Sequence, residues 1–528
     1  MRIKTDICII GSGIAGALAA YKLADKTKNI VILEAGPRTS REDIINGFKT
    51  SHQQDFSAGY PNAKHAPRPD WSKDVPYIKN IGPEALHFEY LKLVGGTTWH
   101  WNANVNRLLE SDFNLKTQYG VGDDWPINFD DLKKYYAEAE NEIGVSGNHH
   151  NDDFAPRAEK FPMPAIPMSY AETQIKNQLQ TIGYECVERS VARNSENRDG
   201  RSQCIGYGTC SPICPSAAQY AAIHHIKKAE RKDVRIIDNA RVTKLEDNKN
   251  GEIKSAHFKK PDGSTHTVNA KVFIIAAGGV ETPKILLVSR SKYSPYGIAN
   301  SSGLVGKNFF DHPGLSCQLL MPEPIFPGRG PQSTMACYKY RDTEGRKQRP
   351  GWYFSAFTRI PYHEITLELL QKGLKPPELD AAILNRASRQ ISLVSHMEQL
   401  PHEKNAITIN YDKKDSAGDP SIEFYFSYSD YERNGFEHIR RTFKQIGNHL
   451  GAEILDITGP SSHHHLMGTT KMGSDKKQSV VNKNCQTHDH PNLYIVGSST
   501  FVTGGSADPT LTIAALSLRL ADHISKSQ

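Results

Sequence analysis

The feature that most constrains this chain is a short apolar run near the N-terminus that leads directly into a glycine-rich turn. Residues 7–10 are apolar, as expected of a parallel strand buried on both faces, and the sequence GSGIAG follows at once. In this arrangement Gly11 permits the tight turn, Gly13 lets the backbone approach a pyrophosphate, and Gly16 lets the following helix pack closely on the strand. The pattern predicts a Rossmann-like nucleotide-binding unit.

A second apolar run supports this prediction. Residues 30–33 end in Glu34, at the distance from the turn where an acidic side chain can accept hydrogen bonds from ribose hydroxyls. NAD and FAD share this fingerprint, so these residues predict a dinucleotide without choosing between the two cofactors.

Length and charge narrow the class of protein. At 528 residues the chain is too long for one ordinary hydrophobic core, so we expect two closely joined domains. Its 64 basic and 58 acidic residues give a net charge of +6 without a dense basic stripe, which argues against nucleic acid as a partner. The sequence contains no run of about 18 apolar residues, so we expect no direct membrane span.

Two later segments are suited to a flat ring system. The sequence KLVGGTTWHWN, from Lys92 to Asn102, combines a glycine pair with two hydroxyls and flanking aromatic residues. Residues 272–277 are typical of a buried strand that ends in Gly278 and Gly279, and a helix is expected to begin near Lys284. Together these segments favour a flavin over a nicotinamide.

With these motifs in order, the sequence resembles the glucose-methanol-choline (GMC) oxidoreductases over nearly its whole length. The segments that carry the resemblance are residues 95–98 with Asn102, 125–126 with 144–147, 276–283, 306–308 with 311–313, 465–473 and 492–497. Each motif alone is modest, but their order is specific. The FAD contacts that the resemblance implies are Gly11, Gly13, Gly16, Glu34, Gly95, Gly96, Thr97, Thr98, His100, Asn102, Val242, Ala277, Gly497, Pro509 and Thr510.

The resemblance also implies an α/β fold in which a Rossmann-like FAD-binding domain is assembled from separated pieces of chain. These pieces are residues 1–120, 205–315 and 455–528, with an iron–sulfur loop at 200–220, and the inserted α+β substrate domain comprises 121–204 and 316–454. Alternating segments at 390–395 and 422–426 predict strands of an antiparallel sheet in that insertion. A helix is expected from about Tyr431 to Leu450.

Oxidising an alcohol with a flavin requires a base for the hydroxyl proton while hydride leaves the same carbon. The resemblance places this base at His465, three residues before Gly468, with His463 and His464 as polar-loop neighbours. The family's second catalytic position, usually Asn or His before a proline, falls on Asp508. An ionised aspartate accepts a substrate hydroxyl or orients His465 and raises its pKa, and it also suits the N-cap of the next helix.

His100 allows two interpretations. In some sugar-oxidising relatives a histidine at this place is joined covalently to the flavin, whereas the tryptophans on both sides are equally consistent with a packed, hydrogen-bonded ring near the cofactor.

Three cysteines, Cys204, Cys210 and Cys214, lie within eleven residues, and thiolates so close can converge on one inorganic centre. A zinc site with a fourth ligand such as His224 or His225 also agrees with this spacing. The arrangement resembles that of the catalytic subunits of bacterial FAD-dependent glucose dehydrogenases. That resemblance implies a three-iron 3Fe-4S cluster.

The leading interpretation is the catalytic subunit of a dehydrogenase complex that oxidises a pyranose hydroxyl, at carbon 1 of glucose or carbon 3 of a glucoside. The resemblance implies a cytochrome c acceptor and a small helper subunit that carries the export signal. The first residues enter a strand without a signal-peptide pattern, so export would depend on these partners. With the partners we expect a periplasmic location, or one at the periplasmic face of the inner membrane. Without them we expect a cytoplasmic location. The alternatives are an oxygen-using pyranose or glycoside oxidase, a gluconate or polyol dehydrogenase, and a flavin-binding electron carrier without alcohol chemistry.

Overall fold

The computed structural model describes residues 2–52, 58–69, 77–149 and 155–527. Its strands are β1 (Arg2–Ile10), β2 (Ile30–Leu33), β3 (Ile78–Asn80), β4 (Ser146–Gly147), β5 (Met163–Pro164), β6 (Val187–Glu188), β7 (Arg235–Ile237), β8 (Arg241–Asp247), β9 (Ile253–Lys259), β10 (Thr265–Ile275), β11 (Pro313–Leu320), β12 (Met335–Tyr340), β13 (Trp352–Phe357), β14 (Gln390–Met397), β15 (Ala406–Lys414), β16 (Pro420–Tyr425), β17 (Glu453–Ser462) and β18 (Leu493–Ile495).

The helices alternate with these strands. They are α1 (Ile14–Leu23), α2 (Arg41–Thr50), α3 (Glu110–Phe113), α4 (Leu115–Tyr119), α5 (Phe129–Ile143), α6 (Tyr170–Gln180), α7 (Ile223–Glu230), α8 (Gly278–Val288), α9 (Tyr362–Gln371), α10 (Glu378–Ala387), α11 (Asp430–His449) and α12 (Thr510–Ser527). Short 3-10 turns occur at Gly96–Trp99, Glu344–Lys347 and Ser498–Thr500. None of the helices in the described ranges is both long enough and apolar enough to cross a bilayer.

The first sheet confirms the predicted Rossmann-like unit. Its order is β7-β2-β1-β10-β9-β8, and β18 also pairs with β10. β1 runs parallel to β2 and to β10 from Thr267 to Ile275, while β9 and β8 continue the sheet in antiparallel fashion. The last four residues of β1 are buried, as expected of a parallel strand that is covered on both faces. α1 packs against α12 and α7 on this sheet.

α8 begins at Gly278, earlier than the start near Lys284 expected from the sequence. Pro283 therefore lies inside the helix, where its ring removes the hydrogen bond to the carbonyl of Gly279. That carbonyl accepts a hydrogen bond from the Thr469 hydroxyl at 2.7 Å instead, so the early start leaves no unsatisfied group there.

The second sheet has the order β17-β11-β14-β13-β12-β6 and is antiparallel. α11 packs against β11, β14 and β17 on one face, and its capping box joins Ser429 and Glu432. The bounds of α11 agree with the predicted helix because its apolar residues are spaced to bury one side. β14 confirms the predicted strand at 390–395.

Several elements do not belong to the sheet or core expected from the predicted domain segments. β16 pairs with β15 and β3 in a separate three-stranded sheet, rather than in the sheet that contains β14. β3 lies within 1–120, and most of β17 lies within 455–528, yet neither strand belongs to the first sheet. α5, from the 121–204 segment, packs against α12 and contributes to the core of the nucleotide-binding domain.

Candidate active site

A large cavity opens at the carboxyl ends of β1 and β2. It encloses about 1340 Å³, including its open mouth. The predicted cofactor residues that line it are Gly11, Gly13, Glu34, Gly96, Thr97, Thr98, Val242, Ala277, Gly497, Pro509 and Thr510. The fold therefore brings together residues from every part of the chain that the sequence assigned to the cofactor.

The three glycines of the turn have separate roles. A Cβ on Gly11, whose φ is +101°, would meet the carbonyl oxygen of Ala276 at 2.5 Å, and one on Gly16 would meet the carbonyl oxygen of Gly11 at 2.0 Å. Gly13 has no atom within 4 Å of its Cβ position, so this face of the turn is open to the cavity. Gly278, which follows β10 beside this turn, is equally open. α1 begins at this point without a side-chain cap, which leaves its N-terminus facing the cavity.

A dinucleotide fits this arrangement. The open faces of Gly13 and Gly278 leave room for close approach by a ligand, and the N-terminus of α1 favours an anion such as a pyrophosphate.

Glu34 contacts the glycine turn directly. One carboxylate oxygen accepts hydrogen bonds from the Ser12 amide at 3.0 Å and the Ser12 hydroxyl at 2.6 Å, and the other accepts from the Gly36 amide at 3.0 Å. Burial raises the pKa of Glu34. The oxygen that accepts from Gly36 retains a further lone pair, so the predicted contact with ribose stays a prediction beside this observed role in holding the turn.

The second glycine pair lies against the first turn. Gly95 has φ +99° and Gly96 has φ +59°, and a Cβ on Gly96 would approach the α-carbon of Gly13 to 2.9 Å. Thr98 locks the segment because its hydroxyl donates to the Gly95 carbonyl at 2.7 Å and accepts from the Ala222 amide at 2.8 Å. Close packing therefore accounts for the glycine pair and for Thr98, and their predicted contacts with the cofactor stay a prediction.

His100 and Asn102 do not line the cavity, whereas Trp101 does. The His100 ring is buried and makes an edge contact with Tyr60, with ring centroids 5.6 Å apart. The backbone carbonyl of Asn102 accepts a hydrogen bond from Arg193 at 3.2 Å. Of the two interpretations of His100 this placement favours the packed ring, and the covalent linkage stays a prediction.

A buried charged group on the cavity wall was not assigned from the sequence. Lys92 and Glu281 both line the cavity and form an ion pair at 3.1 Å, and Tyr77 donates a hydrogen bond to Glu281 at 2.8 Å. Burial opposes the charge on Glu281, but Lys92 and Lys284 outweigh it and lower the pKa of Glu281 to about 2. Burial lowers the pKa of Lys92 to about 8. The only signal in the sequence was their position inside the two glycine motifs.

His465 also lines the cavity, and its hydrogen bonds define its tautomer. The Nε2 of His312 lies 2.9 Å from the Gly505 carbonyl, which can only accept, so His312 carries its proton there. Burial lowers the pKa of His312, so the ring is neutral and its Nδ1 accepts a hydrogen bond. The Nδ1 of His465, 2.8 Å away, must be the donor. The Nε2 of His465 is therefore the unprotonated nitrogen.

Burial lowers the pKa of His465 well below its ordinary value, and the neighbouring histidines add to this effect. Its backbone amide donates to the carboxylate of Asp311 at 2.8 Å, which fixes the segment. A neutral imidazole that is held at Nδ1 by His312 and is unprotonated at Nε2 is suited to accept a proton.

The Nε2 of His465 lies 3.8 Å from one carboxylate oxygen of Asp508. The other oxygen of Asp508 accepts hydrogen bonds from Tyr353 at 2.6 Å, Asn106 at 3.4 Å and Arg189 at 3.5 Å. The carboxylate contacts described for Asp508 are thus with side chains, rather than with the first turn of α12 that the helix-cap interpretation required. This arrangement holds a carboxylate beside the base.

The other two histidines differ in position. His463 contacts the Ser395 carbonyl through Nε2 at 2.9 Å and stacks on His396, with ring centroids 4.1 Å apart. His464 lines the cavity, and its Nδ1 accepts from the Glu89 amide at 3.0 Å. Both therefore support the position of the predicted base.

The predicted cluster residues Cys204, Cys210 and Cys214 line one small pocket. Within the described ranges, no three His, Cys, Asp or Glu side chains gather closely enough to hold a single metal ion. His224 contacts Asp199 at 2.7 Å and His225 contacts Glu142 at 3.0 Å. These contacts direct both histidines to carboxylates and argue against the zinc alternative.

The cysteine pocket adjoins the wall of the large cavity. The side-chain amide of Gln219 donates to the Cys210 carbonyl at 3.0 Å and also to the carbonyl of Trp101, which lines the cavity. The Ser211 hydroxyl donates to the carbonyl of His100 at 2.9 Å. Hydrogen bonds through Gln219 and Ser211 therefore connect the cysteine loop to the segment that contributes Trp101 to the cavity wall.

Comparison with known proteins agrees with this geometry. Two family models described as GMC oxidoreductase match residues 112–314 and 401–517, and one described as an NAD(P)-binding Rossmann-like domain matches residues 9–53. The fructose dehydrogenase large subunit of Gluconobacter japonicus is 36% identical over 99% of this chain and 98% of its own length.

A 2-methyl-1,2-propanediol dehydrogenase of Mycolicibacterium austroafricanum is 28% identical over 99% of this chain and 95% of its own. Among solved structures, pyridoxine 4-oxidase from "Mesorbium loti" superimposes with a TM-score of 0.69 at 17% identity, covering 98% of this chain and 99% of its own. At that identity the likeness concerns the fold.

Proposed function

This chain belongs to the GMC oxidoreductase family, and within that family we propose that it is an FAD-dependent dehydrogenase that oxidises a hydroxyl group of a sugar. The observation that carries the proposal is the unprotonated Nε2 of His465 at the wall of the dinucleotide cavity, beside the carboxylate of Asp508.

In the proposed reaction, FAD bound in the cavity supplies the acceptor for the hydride that leaves the substrate carbon. His465 accepts the hydroxyl proton at Nε2, while the hydrogen bond from its Nδ1 to His312 keeps the ring in the required tautomer. The resulting imidazolium lies beside Asp508, whose charge stabilises it.

Asp508 is a positioning and electrostatic group in this proposal. Tyr353, Asn106 and Arg189 all donate to one of its oxygens, which leaves the other directed at His465. The Asn or His usual at this position in the family can donate a hydrogen bond, and an ionised carboxylate lacks that capacity. Asp508 therefore acts mainly through the base.

The proposed substrates are pyranose sugars and glycosides, oxidised at carbon 1 of glucose or carbon 3 of a glucoside. The similarity to a fructose dehydrogenase subunit adds fructose to this set, and the similarity to a diol dehydrogenase keeps polyols within it. Gluconate is the carboxylate member of the same set.

We also propose that Cys204, Cys210 and Cys214 hold a 3Fe-4S cluster. Their pocket supports this in donor chemistry, because it is lined by three cysteines and no carboxylate, and Gln219 connects it by hydrogen bonds to Trp101 on the wall of the flavin cavity. A cluster would let electrons leave one at a time to a cytochrome c subunit. The same proposal includes a small helper subunit and a location at the periplasmic side of the inner membrane.

Two measurements test these proposals separately. Iron and acid-labile sulfide are assayed per flavin, and the oxidised protein is examined by electron paramagnetic resonance; we expect three irons per flavin, and metal-free protein would remove the cluster. Turnover is then followed with a dye and with oxygen as acceptors. Hydrogen peroxide formed as fast as dye reduction would contradict the dehydrogenase and favour an oxygen-using oxidase.

A further inference from the structure

Two cysteines away from the cluster loop, Cys186 and Cys337, face each other at the edge of the second sheet. β6 and β12 are antiparallel, with Glu188 opposite Met335 and Val187 opposite Ala336. Continuing this register by one residue places Cys186 directly opposite Cys337. Both side chains belong to the core of the substrate domain.

The ladder determines how close these two cysteines are. The Arg189 amide donates to the Thr334 carbonyl at 2.8 Å, so this pair occupies a hydrogen-bonded position. Antiparallel positions alternate, and the third position along is therefore a non-hydrogen-bonded one. At such positions the α-carbons lie about 4.5 Å apart and the side chains are closest, which falls within the range of about 4.4–6.8 Å that a disulfide requires.

The side chains are oriented toward each other. Each thiol is the first cause of the other's shift in pKa: Cys337 raises the pKa of Cys186, and Cys186 lowers the pKa of Cys337, as expected of two sulfurs that are close neighbours. Their exposed fractions are 2% and 1%, so little solvent reaches them in the folded protein.

We propose that Cys186 and Cys337 are a modification site, at which a cross-strand disulfide ties β6 to the second sheet. In this step the two S–H bonds break and one S–S bond forms. The two electrons and two protons pass to an external disulfide, such as glutathione disulfide or an oxidoreductase, which becomes two thiols. Because both thiols are buried, the step belongs to folding in an oxidising compartment.

The crosslink would fix the edge strand β6, which directly precedes a residue of the candidate active site. β6 ends one residue before Arg189, whose guanidinium lies 3.5 Å from Asp508. The bond would close a loop of about 150 residues, and long loops gain most from closure. We expect the oxidised protein to melt several degrees higher than the reduced protein.

The test compares the full-length holoprotein produced with and without glutathione disulfide during folding. Free thiols are alkylated in denaturant, and the peptides are identified by mass spectrometry. A linked Cys186–Cys337 peptide is expected only with the oxidant, and it should disappear after reduction. The rise in melting temperature should be lost in Cys186→Ala and in Cys337→Ala, which check each other if one folds poorly.

Cys317→Ala is the matched control. Cys317 is another buried thiol in the same core, but it lies opposite Leu393 and Ile457 and has no cysteine to pair with. This variant should keep both the linked peptide and the shift. Full alkylation of Cys186 and Cys337 in protein folded with the oxidant, or a shift that survives in both Ala variants, would overturn the proposal. Neither result depends on the proposed sugar oxidation.

Discussion

Replacing Asp508 with asparagine tests the electrostatic part of the proposed reaction. The substitution keeps the size of the side chain and removes its charge, 3.8 Å from the Nε2 of His465. At that distance, with an effective dielectric constant of about 20, one charge stabilises an imidazolium by about 4 kcal/mol. Arg189, 3.5 Å from the other oxygen, offsets part of this charge. If half of this stabilisation remains in the unmodified protein, removing the charge raises the barrier to flavin reduction by about 2 kcal/mol, which slows the reaction about 30-fold.

The assay is anaerobic stopped-flow mixing of Asp508→Asn with sugar, which separates the reduction rate from substrate binding. We expect the rate to fall and the dissociation constant to change little, because Asp508 acts through the base. Asp247→Asn is the matched control, since Asp247 is also buried but lies on β8 at the edge of the first sheet and contacts Ser294. Reduction of Asp508→Asn at the unmodified rate would refute the reasoning.

Four other predictions concern the base, the cavity and the cluster. His312→Ala should slow flavin reduction about 100-fold, because the tautomer of His465 is no longer fixed; an unchanged rate contradicts this role. Because burial lowers the pKa of His465, the rate of flavin reduction should stay level as pH falls through about 6.5. An exposed histidine would be protonated there and would lose its activity as a base, so a pH profile of the reduction rate distinguishes the two cases. Gly13→Val should weaken FAD binding, measured by flavin fluorescence, while the fold is kept. Gly16→Val should instead lower the melting temperature, because a Cβ at this position meets a backbone oxygen at 2.0 Å. Equal effects of the two variants on flavin fluorescence and on thermal melting would argue against an open face at Gly13. Cys204→Ser should reduce iron per flavin with flavin content unchanged, and unaltered iron would place the metal elsewhere.

The sequence alone was sufficient for the nucleotide site because its signals are local. A strand, a glycine turn and a helix follow one another from Ile7 to Leu23, and each glycine has the close contact or open face that its position requires. The bounds of α11 were also predictable, since a helix that buries one face repeats its apolar residues at a fixed interval.

The tautomer of His465 could not be predicted from the sequence. It depends on His312 and Gly505, which are far apart along the chain and meet only after folding. The partners of Asp508 are equally remote in sequence, because Tyr353 lies on β13 and Arg189 directly follows β6, both in the neighbouring domain. Local motifs thus identified the candidate residues, whereas their tautomer and hydrogen-bond partners depend on tertiary contacts.

The most direct measurement is the anaerobic mixing of the FAD-loaded protein with glucose, glucosides, fructose, gluconate and sorbitol, followed through the flavin absorbance. We predict rapid bleaching of the flavin with at least one of the sugars in this set, which are glucose, the glucosides and fructose. The bleaching should be lost in His465→Ala while the flavin stays bound. Flavin that dithionite reduces but that no compound in this set bleaches would contradict the proposed oxidation of a sugar hydroxyl.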